Sequence, residues 1–127
     1  MQRVLTQSAP APIGPYNQAI RAGDYLFCSG QIALDPATGE IVGGTDAGAQ
    51  TKQVMSNVAA VLSAAGASFS HVVKTTIFLI DMDDFATVND VYGAAFGTGP
   101  APARSTVAVA ALPRGVRVEI EVTAYLG

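Results

Sequence analysis

The stretch Val116-Arg117-Val118-Glu119-Ile120-Glu121-Val122-Thr123 alternates apolar and polar residues without interruption. Successive side chains of a strand point to opposite faces of its sheet, so a period of two predicts a strand over 116–125. One face, built from Val116, Val118, Ile120 and Val122, is expected to be buried. The other, carrying Arg117, Glu119, Glu121 and Thr123, is polar.

Immediately upstream, Leu112-Pro113-Arg114-Gly115 reads as a turn, and before it Arg104 opens an otherwise apolar run that predicts a strand over 104–110. If the two strands pair as an antiparallel hairpin, one family of registers places Arg104, Thr106, Glu119 and Glu121 on a common face. A slip of one residue sends Arg104 to the other face. A guanidinium is always charged and can hold a carboxylate by two parallel hydrogen bonds, which makes Arg104 a candidate ligand-binding residue. Spacing leaves a second reading open, a solvated cross-strand ion pair with Glu119 that contributes little to stability.

Further toward the N-terminus, a helix is expected over 83–96, capped by the carboxylates of 81–84, with Phe85, Val88, Tyr92, Ala95 and Phe96 on its core stripe and Gly97 at its end. Asn89 falls on or beside that apolar stripe. A buried amide needs a partner, so Asn89 either meets a backbone carbonyl or touches a ligand. The run Val72 to Ile80 is almost continuously apolar and β-branched, which predicts a central strand buried on both faces. Before it comes a long amphipathic helix, 46–65, with Thr45 or Asp46 as N-cap, the stripe Val54, Val58, Val61, Leu62 and Ala65, and Gly66 as its stop. The first forty residues read as a meander, with strands near 16–22 and 24–30 around Gly23-Asp24 and a further turn at Asp35-Pro36-Ala37-Thr38-Gly39. Three prolines between Ala9 and Tyr16 forbid helix there, leaving an ordered loop that delivers Tyr16 or a flexible tail.

The 127 residues are about one domain, 1–127. Charged residues make up 13% and hydrophobic residues 50%, against a usual charged fraction of roughly 25%. So few charges predict apolar surface buried between subunits; an Ala/Gly-rich monomer is the alternative. The net charge is −3 and the seven basic residues are scattered, which disfavours nucleic-acid binding. No apolar stretch is long enough to cross a membrane, and a cytoplasmic location is expected. Cys28 has no second cysteine to pair with and reads as a buried, inert thiol. His71 reads as an exposed or capping residue, and no metal or haem ligand set is apparent.

Six motifs occur in order along nearly the whole chain: Ile13-Gly14-Pro15-Tyr16, Ser29-Gly30-Gln31-Ile32, Val73-Lys74-Thr75-Thr76, Asp84-Phe85-Ala86-Thr87-Val88-Asn89, Pro102-Ala103-Arg104-Ser105 and Val118-Glu119-Ile120-Glu121. Together they resemble the Rid family, also called YjgF-like, and within it the RidA subfamily of 2-imino acid deaminases. The resemblance implies an α+β, chorismate-mutase-like fold, with one mixed β-sheet of about six strands and two α-helices packed on one face. It also implies a homotrimer with ligand clefts between subunits. The activity it implies is hydrolysis of 2-iminopropanoate and 2-iminobutanoate, released by pyridoxal-phosphate (PLP) dependent dehydratases, to 2-keto acids and ammonia, with no cofactor or metal.

Carried over position by position, the family's carboxylate-binding arginine falls on Arg104 and its water-orienting acid on Glu119. Tyr16, Ser29, Gly30 and Asn89 match cleft-lining positions, and the backbone of Thr106 matches a substrate contact. Many relatives carry cysteine where this chain has Thr106, which removes any thiol chemistry at that position. A small-carboxylate sensor without turnover is the rival expectation. Ribonuclease or chaperone-like activity, described for other relatives, is less favoured because the chain is acidic.

Overall fold

Six strands form one mixed sheet in the order β1-β2-β3-β6-β4-β5, in a computed structural model that describes all 127 residues. They are β1 (Gln2–Val4), β2 (Ala19–Ala22), β3 (Tyr25–Cys28), β4 (Val72–Leu79), β5 (Ala103–Ala108) and β6 (Val118–Tyr125), with α1 (Ala47–Ala64) and α2 (Phe85–Ala94) between β3 and β5. All neighbours are antiparallel except β4 and β5. This is the α+β arrangement, six strands and two helices, that the motifs implied.

The alternation in β6 is realised as read: Val118, Ile120, Val122 and Ala124 are buried, whereas Glu119 and Thr123 are half-buried and Glu121 and Tyr125 exposed. The apolar side chains of α1 and α2 pack against that buried face in one core with Leu26, Ile77 and Leu79. Asp46 is the N-cap of α1, its carboxylate accepting from the Ala49 amide at 3.1 Å, and Gly66 beyond its end takes a φ of 74°. An L side chain at that φ would crowd its own backbone, which is why a glycine stops the helix. α2 is shorter than the stripe implied, since 82–84 forms a single 3₁₀ turn and Ala95 and Phe96 lie past the helix while still packing on the core. Phe85 is 36% exposed and does not join the core stripe.

Three expectations need correction. First, the last two strands do not form a hairpin: β4 lies between β5 and β6, parallel to β5 and antiparallel to β6. The chain rises along β4, crosses through α2 and returns parallel as the edge strand β5, the connection that parallel strands require. The segment 109–117 then carries it past β4 to the far side, so the turn at Pro113–Gly115 is a crossing and not a tight hairpin loop. Second, β4 is central but covered on one face only, with Thr75, Ile77 and Leu79 buried while Val73 and Lys74 are exposed and Thr76 and Phe78 half-buried. Third, Gln2–Val4 is a short edge strand that sequence reading missed, three residues being too few to show a period.

The proline segment is an ordered loop. Buried Gln18 holds it by accepting from the Thr6 amide at 2.8 Å and donating to the carbonyls of Thr6 at 3.0 Å and Pro10 at 2.9 Å. His71 serves as a cap, its Nδ1 accepting from the Ser68 amide at 3.1 Å. Burial pushes the Cys28 thiol up to about 12, which keeps it protonated and unreactive at neutral pH. No helix is long and apolar enough to cross a membrane.

Candidate active site

Register decides where Arg104 points. It pairs with Thr75 of β4, and Thr106 pairs with Ile77; both of those β4 residues face the helices. Arg104 therefore projects from the edge strand toward α2. There its Nη1 donates to Asn89 Oδ1 at 2.7 Å, and its guanidinium carbon lies 5.5 Å from the Phe85 ring centroid and 5.2 Å from that of Tyr92. Phe85, Asn89 and Tyr92 recur at helical spacing, so a single face of α2 supplies an amide oxygen flanked by two rings. Tyr92 is fixed in turn by a 2.7 Å hydrogen bond between its hydroxyl and that of fully buried Thr75. Asn89 thus spends its side-chain oxygen on the arginine, which it orients, and meets no backbone carbonyl.

No carboxylate pairs with Arg104, since the only ion pair of the chain is Arg117 with Asp84 at 2.8 Å. Its unused N–H donors and its charge remain open to a ligand, and the side chain is exposed. The Thr106 hydroxyl, on the same face of β5, is buried without a hydrogen-bond partner. A polar group left so is costly, and a thiol, being a weaker donor and acceptor, would tolerate the place better.

Glu119 pairs with Phe78 and so projects from the opposite face of the sheet. An intrachain ion pair between Arg104 and Glu119 is excluded by that placement, and so is the shared face expected of a hairpin. Glu119 instead lines a cavity of about 480 Å³ with Tyr16, Ser29, Gly30, Gln31 and Arg114. Burial, reinforced by the neighbouring Glu121 charge, raises its carboxyl above the usual carboxylate range. A Cβ on Gly30 would come within 2.9 Å of the Glu119 carboxyl carbon, so the absence of a side chain at 30 is what lets the carboxylate lie against that strand. Ser29 Oγ donates to the Asn17 carbonyl, and the Tyr16 hydroxyl accepts from the Ile13 amide at 3.2 Å, which folds the proline loop over this cavity.

The expected site residues therefore form two groups. Arg104, Asn89 and Thr106 lie on the helix side, and Tyr16, Ser29, Gly30 and Glu119 on the other. Sequence reading missed Phe85 and Tyr92 as flanks of the arginine, having assigned them to the core. The signal was available, because an asparagine between two aromatics on one helix face has no apolar role. No group of three or more His, Cys, Asp or Glu side chains comes together as a metal site.

The open sheet face also displays Tyr25, Phe27, Val107 and Tyr125, all more than 40% exposed, with the rings of Tyr25 and Tyr125 5.2 Å apart. Isolated apolar residues on a surface are ordinary, but a contiguous aromatic set marks a contact surface.

Comparison with known proteins is consistent along the whole chain. The family described as endoribonuclease L-PSP matches residues 6–126. A mouse protein, 2-iminobutanoate/2-iminopropanoate deaminase, is 48% identical over 98% of this chain and 90% of its own length. The crystal structure of RidA from the Antarctic bacterium Psychrobacter sp. superposes with a TM-score of 0.93 at 44% identity, covering 98% of this chain and 99% of that one. Escherichia coli TdcF, solved with bound serine, gives a TM-score of 0.94 at 42% identity and covers 100% of both chains.

Proposed function

The chain belongs to the endoribonuclease L-PSP family, and on that premise we propose that it is a hydrolytic deaminase of 2-imino acids such as 2-iminopropanoate and 2-iminobutanoate. The products are the 2-keto acid and ammonia. The observation that carries the reading is Arg104, a guanidinium held by Asn89, Phe85 and Tyr92 with no carboxylate of its own chain to neutralise it. Such a group is a receptor for an anion, and every 2-imino acid carries one next to its reacting carbon.

In this proposal the substrate carboxylate sits on Arg104, which fixes the C=N carbon in place. Glu119 accepts a proton from water as the water oxygen bonds to that carbon. As the C=N π pair moves onto nitrogen that proton passes there, giving a carbinolamine. Glu119 then takes the carbinolamine hydroxyl proton and delivers it to nitrogen as C=O forms, the C–N bond breaks and ammonia leaves. A carboxylate whose affinity for protons is raised is suited to both halves of this transfer. Imines already hydrolyse in water, so anchoring the substrate and aligning one water supplies most of what is needed. Tyr16, Ser29 and Gly30 shape the cavity around that water, the Thr106 main chain contacts the substrate, and no cofactor takes part.

Because Arg104 and Glu119 face opposite sides of one sheet, a site that uses both draws them from two copies of the chain. We assign the site to the interfaces of a homotrimer, with the aromatic face of Tyr25, Phe27 and Tyr125 covered on assembly. PLP-dependent dehydratases, which release 2-imino acids, are the class of enzyme that supplies the substrate. The acidic pair Glu119 and Glu121 and a net charge of −3 oppose a phosphate backbone, so ribonuclease activity forms no part of the proposal.

The test is a dehydratase-coupled assay of keto-acid formation. Arg104→Ala is expected to lower kcat/KM by about a thousandfold, the loss of two charge-assisted hydrogen bonds. Wild-type rates from that variant would refute the role of Arg104, and ligand binding by the wild type without turnover would favour a sensor.

A further inference from the structure

Arg114 is the only non-glycine residue with a positive φ, at 58° with ψ 18°. An L side chain in this left-handed region crowds its own backbone, whereas glycine holds the conformation freely. Strained residues persist where surrounding contacts impose them, and they gather at functional sites. What arginine adds at position 114 is therefore to be sought in its side chain.

That side chain reaches across 75 positions of sequence, where Nη1 donates to the Gly39 carbonyl at 2.7 Å. Gly39 lies at the tip of the segment 31–44. The stem of this segment is fastened to α1, with Asn57 Nδ2 donating to the carbonyls of Ile32 at 3.2 Å and Leu34 at 3.0 Å, and Gln50 Nε2 donating to that of Gly44. The tip, by contrast, bonds mainly to itself, through Gly39 to Asp35, Asp35 to Glu40, and Ala37 to the Asp35 side chain. Its one hydrogen bond to a distant part of the chain comes from Arg114. Ile32 and Leu34 on one side, and Pro113 and Arg114 on the other, line the cavity that holds Glu119.

We infer that Arg114 is a positioning residue of the Glu119 cavity: its bond to Gly39 clasps the 35–39 turn to the 113–115 turn and keeps the cavity wall in place. Deamination is the reading on which the kinetic consequence rests. The clasp itself can be measured without it.

The experiment compares the full-length wild type with Arg114→Gly and Arg114→Lys by amide hydrogen exchange, thermal unfolding and the coupled assay. Glycine relieves the strain and deletes the clasp, so R114G should keep or raise Tm while amides of 35–40 exchange about tenfold faster. Its kcat/KM should fall about tenfold, mostly through KM, as the cavity wall loosens. Lysine, whose ammonium can reach the same carbonyl, should recover most of both effects. Unchanged exchange at 35–40 in R114G would overturn the inference. So would an activity loss that only follows a fall in Tm, because Arg114 would then be a structural member of its turn. A wild type without deaminase activity would sink the deaminase reading, and the exchange data would still decide the clasp.

Discussion

The two sides of the sheet treat their charged residue in opposite ways. On the helix side, Arg104 is supported by its own chain: Asn89 takes one N–H, Phe85 and Tyr92 flank the plane, and Thr75 fixes Tyr92. On the open side, Glu119 is given burial and a like-charged neighbour, both of which disfavour its ionised form. Support of that kind fixes a group in one geometry, which suits a binding residue. Discomfort of that kind raises the affinity for a proton, which suits a residue that must take and return one. One sheet thus separates the two requirements by the thickness of a strand layer, and in the proposed assembly a second copy of the chain reunites them.

The sharpest way to break this comparison is to damage each side in a different molecule. Arg104→Ala and Glu119→Gln should each be nearly inactive alone. Unfolded and refolded together in equal amounts, they should recover about a quarter of the wild-type activity, the fraction of sites drawing an intact arginine from one copy and an intact glutamate from another. No recovery, with mixed oligomers confirmed by mass spectrometry, would place both groups in one copy.

A smaller effect sharpens the open side. Glu119→Gln should lower kcat about a hundredfold, the usual contribution of a positioned base, while leaving Tm at pH 7 unchanged or higher. The sign follows from the raised carboxyl: folding favours the protonated form, so Glu119 contributes stability below the ordinary glutamate range and loses it as pH rises through its folded value. In the wild type, activity should correspondingly fall on the acid side at a pH above that of an ordinary glutamate. A Tm well below wild type for Glu119→Gln at pH 7 would show that the carboxylate is a structural member.

The smallest effect concerns the helix side. Tyr92→Phe keeps the ring beside Arg104 and removes the hydroxyl bond to Thr75, leaving that buried hydroxyl unpaired. A loss of about 1 kcal/mol in stability and a few-fold rise in KM with kcat nearly unchanged are expected. Equal changes in kcat and KM would mean that the ring does more than steady the guanidinium.

Much of this was readable from residues alone. The period of two in 116–125 marked which side chains of β6 enter the core, and Gly66 and the pair Thr45-Asp46 marked the ends of α1, because these signals depend on neighbours within a few positions. The six motifs were enough to identify the family, and Arg104, Asn89 and Glu119 were singled out with it. The pairing of strands was not readable in the same way. Residues 103–108 and 118–125 are adjacent in sequence and look like a hairpin, yet β4 takes the place between them.

The sequence by itself determined both helices, five of the six strands, the buried stripes of α1 and β6, and the identity of the charged residues at the candidate site. These follow from local periodicity and from the chemistry of single side chains. Only the tertiary structure decided that Arg104 and Glu119 lie on opposite faces, that Asn89 serves the arginine, and that Arg114 reaches Gly39. The reason is physical: a strand's side chains alternate, so the face each residue occupies is set by register with its neighbours, and register is a property of the assembled sheet.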